Sequence, residues 1–131
     1  MKYTPEQILR YMCEKYNVFA PPLGVYLLEY FISHDLLKYT ENAGRLTGVV
    51  IFRKVKLSKY DDRDRVSHDP KGECLFICEL CADTKEDIAD LEKRVRERIG
   101  KVKHIGMHRY KKLHFYDYNK YINKLLGKGR K

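Results

Sequence analysis

Residues 72–100 read GECLFICELCADTKEDIADLEKRVRERIG. Glu73 to Ala82 is an apolar run with one carboxylate, Glu79, inside it, and it predicts a strand. Thr84, with Asp87 three residues on, predicts a helix start. Ile88, Leu91, Val95 and Ile99 then recur at helical spacing, and Gly100 marks the stop. Val102 to Tyr110 predicts the next strand. A strand, a crossover helix and a strand build a sheet whose functional edge lies at the strand ends.

On the N-terminal side, Thr4-Pro5-Glu6-Gln7 has the makings of a capping box with proline at the first helical position. Ile8, Leu9, Met12, Cys13 and Tyr16 give that helix one apolar face. Pro21-Pro22 ends it, and a second helix is predicted over Leu23–Ser33 with Tyr26, Leu27, Tyr30 and Phe31 inward. Leu36–Thr40 and Leu46–Leu57 predict a hairpin, with Asn42 or Gly44 taking positive φ in the turn. In the second of these strands, alternation puts Arg53, Val55 and Leu57 on one face and Lys54 and Lys56 on the other. Residues 58–71 are polar and turn-rich, and predict a long mobile loop. On the C-terminal side, Leu113–Tyr116 predicts a short strand and Asp117 a cap for a helix over Tyr118–Leu126. The expected fold is α/β (α+β), one domain over residues 1–126 with a frayed basic tail at 127–131.

The chain has 131 residues, 44% hydrophobic and 34% charged, which suits a folded domain. No apolar run reaches the roughly 18 residues of a membrane span. The first residues lack the basic and apolar regions of a signal peptide, so a cytoplasmic location and no membrane partner are expected. Residues 92–131 carry 14 Lys/Arg against 3 Asp/Glu, a net of +11, leaving −2 of the total +9 to residues 1–91. Such asymmetry points to a polyanionic partner for the C-terminal third.

Several side chains are candidates for chemistry. Glu79 within an apolar strand should have a raised pKa, useful for proton transfer. Cys74, Cys78 and Cys81 with His68 invite a zinc reading, but a strand sends Cys78 and Cys81 to opposite faces, so no metal is expected. His104 and His108 share a strand face, and His114 follows on the next strand, where they could cluster with Arg109, Lys111 and Lys112. The stretch 108–121 interleaves bases with aromatic rings. There Arg109, Lys111, Lys112, Lys120 and Lys124 are candidate contacts to the phosphates of DNA or RNA, with rings stacking on bases.

The element order, and the stretches RLTGVVIFRKV (45–55), GECLFICELCAD (72–83) and HIGMHRYKKLHFYD (104–117), resemble the GNAT acyltransferase fold. The likeness covers most of residues 25–117. It is nearest to compact GNAT-like phage proteins and, more distantly, to the toxin-activating lysine acyltransferases. The resemblance implies a mixed, mainly antiparallel sheet with two N-terminal helices, a crossover helix and a C-terminal helix. It implies Glu79 as general base toward an amine acceptor. It also implies an acyl donor, acyl-CoA or acyl carrier protein, held along Leu80 to Asp87, with Leu80, Cys81, Thr84 and Lys85 as contacts. In the toxin activators an essential histidine pairs with an acid on this strand, and here His34 is the only histidine upstream of the hairpin. The usual Arg/Gln-x-x-Gly-x-Gly/Ala signature has no counterpart. The chain instead reads Ala82-Asp83-Thr84-Lys85-Glu86-Asp87, without glycine and with three carboxylates. The alternative expectation is a non-catalytic module of the same fold that binds nucleic acid or a protein partner through the basic C-terminal third.

Overall fold

The computed structural model describes residues 2–17, 24–64, 66–109 and 112–127. Their element order is α1 (Pro5–Tyr16), α2 (Val25–Ser33), β1 (Leu37–Asn42), β2 (Arg45–Val55), β3 (Cys74–Ala82), α3 (Lys85–Ile99), β4 (His104–Arg109), β5 (Lys112–Asp117) and α4 (Tyr118–Leu125). The fold is α+β. The five strands form one mixed sheet in chain order. β1 and β2 pair antiparallel, β3 and β4 parallel, and β4 and β5 antiparallel. The parallel pair follows from α3, which carries the chain back before β4 begins.

Two compact units divide the chain, Met1–Ile51 with Glu79–Leu91, and Phe52–Cys78 with Glu92–Lys131. In the first unit α1 starts at a complete capping box. Thr4 Oγ1 accepts the Gln7 amide at 3.1 Å, and Gln7 Oε1 accepts the Thr4 amide at 2.8 Å. Ile8, Leu9 and Met12 of α1 are buried, as are Leu28 and Phe31 of α2. Tyr26, expected inward, is 86% exposed, because the buried stripe of α2 runs through Leu28 and Phe31 instead. In the β1–β2 turn Gly44 takes positive φ (77°), one of the two residues expected to, and Ala43 (54°) joins it in place of Asn42. Both central residues of a tight two-residue turn between Asn42 and Arg45 need that conformation to match the twist of the strands.

In the second unit Phe52, Val55, Cys74, Phe76 and Ile105 are buried. β2 ends at Val55, two residues short of expectation, and Leu57–Lys59 form one turn of 3-10 helix. Strand alternation puts Arg53 and Lys54 on opposite faces, yet both are buried, at 2% and 9% exposure. The described residues of the β2–β3 connection are tied down rather than loose. Arg53 Nη1 donates to the Ser67 carbonyl at 2.8 Å and Nη2 to the Asp64 carbonyl at 2.7 Å. The Asp69 amide donates to the Lys54 carbonyl at 2.9 Å, and the Lys54 amide to His68 Nδ1, also at 2.9 Å. Buried carbonyls need donors, and here the connection's carbonyls are what solvates the guanidinium.

Asp117 caps α4 by accepting the Lys120 amide at 3.1 Å. β4 begins at His104, not Val102. Of the expected frayed tail, residues 128–131 lie outside the described residues. No helix among the described residues is long and apolar enough to cross a membrane.

Candidate functional site

Glu79 lies near the C-terminal end of β3, on the face it shares with Ile77 and Cys81. It is half-buried. The Tyr16 hydroxyl, from the last turn of α1, lies 2.9 Å from Glu79 Oε1 and 3.2 Å from the Leu80 carbonyl, so one proton serves two acceptors. Burial raises the Glu79 carboxyl above the ordinary range, and the Tyr16 hydrogen bond offsets part of that. Burial, followed by the Glu79 charge, pushes Tyr16 far up. The tyrosine is therefore a donor at neutral pH and the carboxylate the group that titrates.

Two residues on, Asp83 Oδ1 receives the Lys15 ammonium at 2.8 Å and the Tyr11 hydroxyl at 2.9 Å. The Lys15 hydrogen bond leads in holding its carboxyl below the usual range. Thr84 caps α3, accepting the Asp87 amide at 3.1 Å. Asp87 in turn accepts the Thr84 hydroxyl at 2.8 Å and the Thr47 hydroxyl at 2.9 Å. The Asp83 amide is spent on the Thr47 carbonyl at 2.8 Å. The donors that would cradle a pyrophosphate at a helix start are thus partly consumed, with carboxylates beside them. Cys81 is buried at the same place, its thiol pushed up to about 12 by burial and then by Glu79. It is a packing group, not a nucleophile. Lys85 is exposed at the first position of α3.

Glu79 and Asp83 shift in opposite directions, which gives a pH prediction. Between the ordinary glutamate value and the raised folded value, the folded chain holds a proton that the unfolded chain has released. Stability therefore falls as pH rises through that window. Asp83 has the reverse sign, its contribution being lost as pH falls. The Glu79→Gln variant is expected to melt higher than the parent at pH 7 and to match it near about pH 4. A variant that melts lower at pH 7 would show that the ionised carboxylate is stabilising.

The basic C-terminal candidates sit in the second unit. Register places Met107 opposite His114, Ile105 opposite Tyr116 and Arg109 opposite Lys112, so these six share one face. On it the His114 and Tyr116 rings stack at 5.8 Å with 4° between planes, and Tyr116 stacks on Tyr121 of α4 at 4.9 Å and 26°. Arg109 acts electrostatically on Tyr121. The result is a three-ring ladder with Arg109 and Lys112 at its open end.

The three histidines do not cluster as the sequence suggested. His108 is on the other face, with Nε2 3.0 Å from Asp62 Oδ1 and its ring against Phe76. The one-residue difference in register parity separates it from His114. Lys120 and Lys124 are exposed one turn apart on α4, and Lys111 lies outside the described residues. His34 packs against Tyr30 at the end of α2, with Nδ1 2.8 Å from the Tyr30 carbonyl.

Among the described residues no three His, Cys, Asp or Glu side chains converge as a metal site, and the four cysteines are free thiols. The sequence does not mark the partner of Glu79, because Tyr16 is 63 positions away and nothing in its helical spacing distinguishes it. Tyr116 and Tyr121 were legible as rings amid charge, but not as a stack. Comparison with protein-family models returned no match, and comparison with curated proteins returned none either.

Proposed function

We propose that the chain binds single-stranded nucleic acid along the face of the β4–β5 hairpin that carries Arg109 and Lys112. The observation that carries this reading is the His114–Tyr116–Tyr121 ladder with Arg109 and Lys112 beside it. Stacking on aromatic rings accepts any base, and the flanking cations neutralise phosphates. The +11 of residues 92–131 supplies the long-range attraction. Fluorescence anisotropy with a labelled oligonucleotide tests it. Tyr116→Ala is expected to weaken binding by about 1–3 kcal/mol, roughly 5- to 150-fold. Lys112→Gln is expected to flatten the log affinity–log salt slope by about 1. Absence of binding at low salt, or a Tyr116→Ala affinity equal to the parent's, would remove this reading.

A second reading, acyl transfer to an amine, is favoured by the Tyr16–Glu79 pair alone. Glu79 would accept the amine proton as the nitrogen attacks the thioester carbonyl, the C–S bond would break, and the carrier's thiol would leave with that proton, with Leu80 and Cys81 lining the acyl group. With carboxylates and spent amides at the start of α3, an acyl carrier protein suits this site better than acyl-CoA. Glu79→Gln should then abolish transfer while leaving oligonucleotide binding intact.

A further inference from the structure

We propose that the cavity formed by the end of β2 and the β2–β3 connection binds a phosphate group, with Arg53, Lys56 and Lys59 as its cations. The cavity is open to solvent and has a volume of about 170 Å³. All three cations line it. It is separate from the aromatic ladder, since Arg53 lies over the Phe76 ring at 5.2 Å and Phe76 pairs with Gly106, on the opposite side of the sheet from Tyr116.

Three observations carry the inference. First, Arg53 and Lys54 are buried as cations, and a buried charge is costly unless an opposite charge or a full set of hydrogen bonds meets it. Second, their hydrogen bonds go to backbone carbonyls only. Arg53 has Ser67 and Asp64, and Lys54 Nζ has Pro70 at 2.9 Å and Ile99 at 3.4 Å. All 18 Asp and Glu of the chain belong to the described residues, and none forms an ion pair with either. Third, Arg53 Nε is buried without any acceptor. The aspartates in the lining are already engaged. Asp61 holds Arg63, Asp64 accepts the Val66 and Ser67 amides, and Asp69 accepts the Lys71 amide. The Asp64 carboxylate acts on Arg53 electrostatically but makes no ion pair with it, so a phosphate oxygen would meet the unpaired Nε, and exposed Lys56 and Lys59 would complete its coordination from the solvent side.

Calorimetric titration of the full chain with sodium phosphate, at ionic strength held constant with sodium chloride, tests the site. One saturable site is expected. Lys56→Gln/Lys59→Gln alters exposed groups only and should weaken binding at least fivefold with an unchanged circular dichroism spectrum. Arg53→Met should abolish it. Glycerol 3-phosphate in a parallel titration separates the sources: tighter binding than inorganic phosphate assigns a phosphomonoester, weaker binding the free ion. No saturable heat at millimolar phosphate, or equal affinity in the double lysine variant, would overturn the proposal.

Discussion

Phe76→Ala is expected to cost about 3–5 kcal/mol of unfolding free energy, the range for removing a buried aromatic ring. Phe76 is 3% exposed. Its ring meets Tyr60 at 5.5 Å, His108 at 5.7 Å and Phe115 at 6.4 Å, and the Arg53 guanidinium lies over it. Truncation would remove the ring contacts and leave Arg53 without the π-face that helps to offset its burial. Tyr60 and Phe115 also touch each other, at 5.5 Å and 83°, so the cluster cannot simply close over the gap. Urea unfolding monitored by circular dichroism measures the effect. A loss below about 1 kcal/mol would mean that the neighbours do collapse into the space.

Gly72→Ala is expected to cost about 1–3 kcal/mol, the range for overpacking. A Cβ on Gly72 would stand 2.5 Å from the Val55 carbonyl oxygen, 2.6 Å from its carbon and 2.9 Å from the Val55 nitrogen. These are backbone atoms at the end of β2, so no side chain can swing aside. The Gly72 amide also donates to the Asp69 carbonyl at 2.8 Å, which anchors the same segment. The same denaturation experiment measures it, and an unchanged midpoint would show that the Val55 backbone yields freely.

The order of elements was legible because the signals are local. Thr4 with Gln7, Thr84 with Asp87, and Asp117 each mark a helix start within four residues of the groups they cap. What failed was whatever depends on distant partners. Alternation along β2 would put either Arg53 or Lys54 in solvent, but the β2–β3 connection covers one and Pro70 and Ile99 receive the other. For the same reason the connection read as mobile: its anchor is a guanidinium one strand earlier. The histidines misled because their grouping depends on whether His114 pairs with Met107 or His108, a one-residue choice of register that residue types do not mark. At the candidate sites, Glu79 and the basic residues could be named from the sequence. The Tyr16 hydroxyl beside the one, and the stacking among the rings beside the others, depend on how distant segments meet.

The parallel pairing of β3 with β4 has a kinetic consequence. β1 pairs with β2 and β4 with β5 along nearby stretches of the chain, so each hairpin is able to form from near neighbours within microseconds. β3 has no such neighbour. Cys74 meets His104 and Ile77 meets Met107, about thirty positions along the chain, with α3 in between. Loop-closure entropy must be overcome before that pairing returns any contact energy. The β3–β4 pairing is thus expected to form after the two hairpins. Until β3 docks, CLFIC is an apolar segment open to association with other chains.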